Sequence, residues 1–334
     1  MAQRAEVVAP CRVDLGGGTL DIWPLGVLHP GSVTVNAAVP VRVRLTVEDS
    51  AAPEEVLLQA YDGSQQRLTP DDALTDLTAA VAFWFRPQAG VVVRVFEQPP
   101  IGSGLGGSST YAVALACGLI ELGSGTRDDR GLVDTVRDLE ARILGSPTGT
   151  QDHWAALLGG VLSLHLEPGK SRVEPIAVDP EWLGERLTVF YTGIRHHSGM
   201  VNWQVVRRRL NGDPATHNAL DEIMWAARQC REGLLECDEE RVADAIRVEW
   251  AARQRLAPEV CPAQLGRVAM GATGAGAAAV KACGAGGGGC VLIWHEPERR
   301  GAIVEALRPL APAGEVLATG VEAQGCVVTA GDAA

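Results

Sequence analysis

No C-x-x-C pair occurs in this 334-residue chain; its eight cysteines (Cys11, Cys117, Cys230, Cys237, Cys261, Cys283, Cys290, Cys326) are scattered. That pattern suits reduced, mostly buried thiols better than a disulfide framework or a zinc site. The chain also lacks a run of 18 uncharged apolar residues near its N-terminus, and MAQRAEVVAP has no signal-peptide anatomy. A soluble, cytoplasmic protein with no membrane partner is therefore expected. Basic residues are in deficit, 29 against 41 acidic for a net charge of −12. This argues against nucleic acid, which is bound with clustered Lys and Arg. An anionic nucleotide would need local compensation from backbone N–H groups, a cation or a few arginines. G-x-x-x-x-G-K-[ST] is missing, which disfavours the P-loop class, and no internal repeat is evident.

Glycine, by contrast, is abundant and clustered, and 46% hydrophobic content supports a large core in two domains. The organising stretch is VVVRVFEQPP-IGSGLGGSS-TYAVALACGLIEL. Val91, Val92, Val93 and Val95 read as a strand, stopped by Pro99 and Pro100, which supply no ladder N–H. Gly102, Gly104, Gly106 and Gly107 then precede Ser108, Ser109 and a small apolar run that reads as a buried helix. Strand, glycine loop and helix start together present unpaired N–H groups and about half a positive charge to an anion, and a phosphate fits there. Gly102, Gly104 and Gly107 also satisfy G-x-G-x-x-G, with Glu121 at roughly the spacing of a dinucleotide site. The Pro-Pro entry and paired serines do not belong to that fingerprint.

VVAPCRVDLGGGTLDIW joins an apolar entry to a second glycine cluster, Gly16 to Gly18. Arg12, Asp14 and Asp21 flank it, either to hold a polyhydroxyl ligand or as a structural ion pair at a turn. Val39, Val41, Val43, Leu45 and Val47 alternate with Arg42, Arg44, Thr46 and Glu48, the pattern of a half-buried antiparallel strand. Residues 50–75 read as loop and hairpin, and Leu77 to Phe85 as a short helix. Its Trp84 is expected in the core, with a base pocket as the alternative. Thr126 to Asp129 makes a capping-box-like start to a helix with Leu132, Val136, Leu139 and Ile143 on one face. Glu140 lies beside that face, where a helical glutamate is ordinarily solvated. Asp152 sits among small and apolar residues before the strand Val161–Leu166, a general-base candidate. An apolar strand from Leu187 to Thr192 leads into Arg195, His196, His197 and Ser198, either a phosphate- or hydroxyl-binding segment or a surface loop. Residues 199–257 are amphipathic helix with core stripes, and Arg207–Arg209 reads as a solvated face. A third glycine cluster, KACGAGGGGC, precedes the strand Val291–Trp294. A helix over Glu298–Leu307 and a last strand over Gly325–Thr329 complete an α+β layer.

Taken in order, PIGSGLGGSS, VKACGAGGGGCVL and APCRVDLGGGTLD resemble the phosphate loop, C-terminal glycine motif and N-terminal substrate motif of the GHMP kinase superfamily, over nearly the whole chain. Within it, R-V-D-L-G-G and Q-D-H-W-A-A-L-L-G-G look most like the sugar-kinase branch, which includes L-fucose kinases and D-glycero-D-manno-heptose 7-phosphate kinases. The resemblance implies a two-domain α+β fold. Residues 1–180 would form an ATP-binding, ribosomal protein S5 domain 2-like domain, and residues 181–334 a ferredoxin-like substrate-side domain. It also implies ATP and Mg²⁺ as cofactors and a sugar or small polyol as acceptor, with a homodimer left open as the assembly. Gly102, Ser103, Gly104, Leu105, Gly106, Gly107, Ser108 and Ser109 would wrap the ATP phosphates, and Ser108 and Glu140 would hold Mg²⁺. Asp152 matches the base of the family's Q-D-Q or M-D-Q segment, and Arg12 the arginine that balances it and the transferred phosphoryl. Gly18, Thr19 and Asp21 would grip the acceptor, and Gly284 to Gly289, with Gly286 and Gly287 at their centre, would shape its side of the cleft. Leu20 stands before Asp21 where the sugar branch often has Thr or Ser, so the motif names no particular sugar. The rival readings are a mevalonate-pathway kinase or decarboxylase on the same scaffold, a non-catalytic nucleotide or sugar sensor, and a nicotinamide dehydrogenase.

Overall fold

A computed structural model describes residues 3–194, 199–284 and 286–332. Arg195, His196, His197 and Ser198 lie outside the described residues, so the segment they were expected to form is not placed. Two long antiparallel strands, β1 (Gln3–Gly16) and β2 (Val33–Ser50), carry the first half. Their register slips opposite Pro10/Cys11, where Cys11 pairs with Val39 and Pro10 with Arg42, and again between Asp14 and Gly16. Pro10 and Pro40 cannot donate to the ladder, so the irregularity falls where the sequence tolerates it. It lies immediately before Arg12. The hairpin β3 (Val56–Gln59) and β4 (Gln65–Leu68), then α1 (Leu77–Phe85) and β5 (Gly90–Glu97), follow where the sequence places a hairpin, a short helix and a β-branched strand.

Helix α2 (Gly107–Leu122) is apolar nearly all round and accordingly buried. Gly118 lets it lie close on the sheet, since a Cβ there would meet Val47 Cγ2 at 2.9 Å and Val7 Cγ2 at 3.0 Å. Helices α3 (Asp129–Leu144) and α4 (Gln151–Leu158) cover the same face, and β6 (Val161–Glu167) and β7 (Lys170–Pro175) extend the sheet from β2. After α5 (Pro180–Arg186) and β8 (Leu187–Tyr191) come three helices, α6 (Gly199–Leu210), α7 (Pro214–Glu236) and α8 (Glu239–Leu256). Next follow α9 (Ala263–Gly274), β9 (Ala277–Ala282), β10 (Cys290–His295), α10 (Arg300–Leu307), β11 (Glu315–Ala318) and β12 (Val327–Asp332).

The first sheet runs β12-β1-β2-β5-β3-β4 with β6 and β7 attached; the second runs β11-β8-β10-β9, every pair antiparallel. That second order is the ferredoxin-like one. Both of its faces are covered. Val291 and Ile293 pack with Leu265, Val268, Ile303 and Leu307, while Leu292 and Trp294 share a core with Val13, Val35 and Ile246. The last strand leaves the second half and pairs with β1, Val8 opposite Val327 and Gln3 opposite Asp332, so the chain after residue 180 contributes to both sheets.

Several local expectations are corrected. Helix α3 begins at Asp129 with Asp128 as its N-cap and no side-chain cap bond, so the capping box at Thr126 does not form. Trp84 is 60% exposed rather than in the core. Thr46, expected to face outward, is buried. Arg207 is solvated, but Arg208 donates to the Leu256 carbonyl at 2.6 Å and Arg209 to His29 Nε2 at 2.8 Å. Glu121 is exposed within α2, not at a strand end, and β5 runs antiparallel to β2 and parallel to β3. The strand that follows α2, β6, pairs with β2 and β7 and not with β5, so the strand–loop–helix–parallel strand unit of a dinucleotide site is not formed at this loop. No helix among the described residues is long and apolar enough to cross a membrane.

Candidate active site

Loop 98–106 has to turn sharply and still pack against the third glycine cluster and Asp152. Gly102, Gly104 and Gly106 take φ of 74°, 77° and 75°, a region costly to residues with a Cβ. A Cβ on Gly104 would stand 2.6 Å from the Cys283 carbonyl oxygen, and one on Gly106 2.9 Å from the Asp152 carboxylate. The Leu105 side chain is fully buried, and its carbonyl accepts the Arg12 N–H at 3.1 Å. The first amides of α2, at Gly107, Ser108 and Ser109, precede the first intrahelical bond, which Thr110 N–H makes to Gly106. They border a cavity of about 480 Å³.

Arg12, Gly18, Thr19, Asp21, Ser103, Glu140, Asp152, Arg253 and Gly284 line the same cavity. Arg12 donates through Nε to Asp152 Oδ1 at 2.7 Å and through NH1 to the Gly104 carbonyl at 2.8 Å. Its guanidinium is buried while 23% of the Asp152 side chain stays open. Asp152 lies in the first turn of α4, and Asp21 caps that turn from a distant part of the chain. Asp21 Oδ2 accepts the N–H groups of Thr150 at 2.8 Å and Gln151 at 3.0 Å. Gln151 donates through Nε2 to the Gly18 carbonyl at 3.2 Å, binding the turn to the second glycine cluster. Asp21 Oδ1 is buried with no hydrogen-bond partner among the described residues. Burial pushes the Asp21 carboxyl up to about 7 although the Gln151 and Thr150 amides pull it down, with the charges of Asp152 and Asp14 adding to the rise.

Glu140 is buried, not solvated. Ser109 donates to its Oε2 at 2.7 Å, and His153 Nε2 stands 3.3 Å from the same oxygen. Burial alone would raise the Glu140 carboxyl, but His153 and the hydroxyls of Ser109 and Ser108 outweigh it and hold it below the usual range. The expected pair Ser108 and Glu140 thus has the Ser109 hydroxyl beside it. An ionised carboxylate with serine hydroxyls is a hard oxygen donor set, which fits Mg²⁺. Gly286 and Gly287 are not brought to the cavity. They turn onto Val260, whose carbonyl accepts the Gly287 N–H at 2.7 Å; Gly284 takes their place at the wall. Away from the cleft, His29, His217 and Asp221 lie close together. The His29 ring is already spoken for, with Arg209 donating to Nε2 and Nδ1 bonded to Asp221 at 2.7 Å.

Sequence reasoning did not single out Arg253, Glu249 or Lys281: Arg253 and Lys281 pair with Asp14 at the cavity wall, and Glu249 pairs with Lys281. The available signals were the i,i+4 spacing of Glu249 and Arg253 and one of the chain's few lysines opening the third glycine cluster.

The sequence pattern of the GHMP kinases N terminal domain matches residues 73–160, and that of GHMP kinases C terminal matches residues 230–310. The bifunctional fucokinase/GDP-fucose pyrophosphorylase of Arabidopsis thaliana is 26% identical over 317 residues, 87% of this chain and 30% of the plant protein. The chain therefore spans less than a third of that relative's length. The D-glycero-alpha-D-manno-heptose 7-phosphate kinase of Campylobacter jejuni is 25% identical over 315 residues, covering 90% of this chain and 91% of the relative. Lactococcus lactis galactokinase complexed with galactose superposes with a TM-score of 0.77 at 13% identity, over 97% of this chain and 95% of that one; at that identity the likeness shows a common fold. With both family patterns matched in order and together covering just over half of its residues, the chain belongs to the GHMP kinase family.

Proposed function

We propose that the protein transfers the terminal phosphoryl group of ATP to a hydroxyl of a sugar or sugar phosphate. The observation that carries this reading is the Arg12–Asp152 pair packed against Gly106, with the amides of α2 opening on the same cavity. Phosphoryl transfer asks mainly for positioning and charge stabilisation. The loop 102–109 and the α2 N-terminus would hold the phosphates, with the Arg12 guanidinium facing the transferred group. Asp152, partly open to the cavity, would accept the proton of the acceptor hydroxyl as its oxygen attacks phosphorus and the bond to ADP breaks. Asp21 Oδ1, unpartnered among the described residues, would bond a second hydroxyl, and Thr19 and Gly18 border the same space. Ser108, Ser109 and Glu140 would hold Mg²⁺, which when bound offsets the charge of the phosphates. The relatives of matching sequence carry the names of a fucokinase and a heptose 7-phosphate kinase, which supports a sugar acceptor.

The test is an ADP-release screen over hexoses, heptoses, their phosphates and mevalonate. Release that depends on a sugar or sugar phosphate is expected. Carbon dioxide evolved from a mevalonate derivative would favour the decarboxylase reading, and ATP binding without transfer to any polyol would favour a sensor.

A further inference from the structure

At the cavity wall, where Arg253 is one of the lining residues, four ionisable side chains meet almost wholly shielded from water. Asp14, Glu249 and Lys281 have fully buried side chains, and that of Arg253 is 5% exposed. Lys281 Nζ donates to Glu249 Oε2 at 2.5 Å and stands 3.2 Å from Asp14 Oδ2. Arg253 NH1 donates to Asp14 Oδ2 at 3.2 Å, and its NH2 donates to the Gly284 carbonyl at 2.6 Å. Two acids and two bases make the group neutral. Such buried pairs add little net stability over apolar side chains of the same shape, because desolvation offsets their attraction; what they hold is geometry.

The geometry here closes on itself. Asp14 is two residues from Arg12 along β1, at the spacing that returns to one face of a strand. Arg253 joins Asp14 to Gly284. Gly284 abuts the phosphate loop so closely that a Cβ on it would lie 2.7 Å from the Gly104 oxygen. That same Gly104 oxygen accepts Arg12 NH1 at 2.8 Å. One circuit therefore runs Arg12, Asp14, Arg253, Gly284, Gly104 and back to Arg12, and Arg253 is the member supplied by α8.

We propose that Arg253 is a positioning residue for phosphoryl transfer, its forked guanidinium clamping the Gly284 turn onto the phosphate loop and so fixing where Arg12 and Asp152 stand relative to the phosphates. The proposal rests on the kinase reading of the cleft for its catalytic consequence, but not for the clamp itself. The fork is what matters. A lysine keeps the charge beside Asp14, but as a compact point charge it does not span Asp14 and the Gly284 carbonyl in one plane.

The experiment compares wild type, Arg253→Lys and the charge-neutral double variant Asp14→Asn/Arg253→Met. Readouts are thermal unfolding, amide hydrogen exchange over residues 102–106 and 283–290, nucleotide affinity, and kcat and KM with the best acceptor. In Arg253→Lys we expect faster exchange in both segments. Its kcat should fall by about ten- to a hundredfold, the scale of a misplacement near 1 Å, with nucleotide affinity within about threefold of wild type. The double variant serves if Arg253→Lys does not fold, and should show the same pattern. Unchanged exchange in residues 283–290 overturns the clamp, and faster exchange with wild-type kcat overturns its role in positioning. A purely structural role would lower the melting temperature and leave kcat alone. Should wild type phosphorylate no sugar, the kinase reading falls while the exchange measurement still decides the clamp.

Discussion

Replacing Gly106 by alanine tests the placement of the base without touching the base. Gly106 has φ of 75°, where an alanine costs about 1–2 kcal/mol. Its Cβ would stand 2.9 Å from both Oδ2 and Cγ of Asp152. The backbone on one side is pinned by Arg12 and Cys283 contacts, so the carboxylate is the part that moves. To move, it must loosen the 2.7 Å bond from Arg12. A hydrogen bond of that charged kind contributes about 1.5–3 kcal/mol, discounted to about 1 kcal/mol because Asp152 is partly exposed and water replaces some of it. The variant should then be about 2–3 kcal/mol less stable, a shift of several degrees in melting temperature. A positioned base contributes about 10²–10⁴-fold, so a displaced one should lower kcat by about 10²–10³. The assay is initial-rate kinetics alongside Asp152→Asn and the double variant Gly106→Ala/Asp152→Asn. If the alanine acts through the carboxylate, the double variant should match Asp152→Asn within about threefold, because coupled residues are not additive. Losses that multiply in the double variant would refute the reasoning, since the alanine would then act through the phosphate loop alone.

Three further outcomes are expected. Asp152→Asn should lower turnover by about 10²–10⁴ and leave nucleotide affinity, measured by titration calorimetry, near wild type; full activity would remove Asp152 from the reaction. Asp21 is pushed up to about 7 from an ordinary 3.8, so between about pH 4 and pH 7 the folded protein keeps a proton that the unfolded chain has lost. Its contribution to stability is therefore full below about pH 4 and declines as pH rises to about 7, and Asp21→Asn should flatten that part of a melting-temperature profile. Glu140→Gln should raise the Mg²⁺ concentration for half-maximal rate by about ten- to a hundredfold, with Ser108→Ala smaller in the same direction; an unchanged requirement contradicts the metal assignment.

What could be read from the sequence, and what could not, divides along local and non-local physics. The glycine loop, the helix behind it and the 39–48 strand follow from φ freedom, side-chain size and alternation, all carried within ten or so residues. Trp84 failed because nothing within α1 says which side of its last turn packs: Phe83 and Phe85 lie against the core and Trp84 between them is left exposed. Glu140 failed for the same kind of reason. Its burial is decided by His153 and Ser109, 13 and 31 residues away in the chain. The Asp14–Arg253–Lys281–Glu249 group spans β1, α8 and β9, and a pairwise spacing such as Glu249 to Arg253 reads equally well as an exposed helix pair. The resemblance of VKACGAGGGGCVL to a family motif puts Gly286 and Gly287 at the cleft, yet their positive φ values serve a turn onto Val260.

Four consecutive residues explain how so many distant segments come to one place. Thr150 and Gln151 give their amides to Asp21, Gln151 gives its side-chain amide to Gly18, Asp152 meets Arg12, and His153 backs Glu140. Successive residues on a helix point about 100° apart, so a single turn of α4 reaches the second glycine cluster, the Arg12 strand and Glu140 in three directions at once. The helix is only eight residues long, too short to be stable alone, and its first amides depend on a carboxylate 129 positions earlier in the chain. Loss of the Asp21 cap should consequently disturb the base, the acceptor contacts and Glu140 together. A mutation confined to sugar contact would disturb the acceptor alone. The two are separated by whether Asp21→Ala changes the Mg²⁺ requirement as well as the acceptor KM.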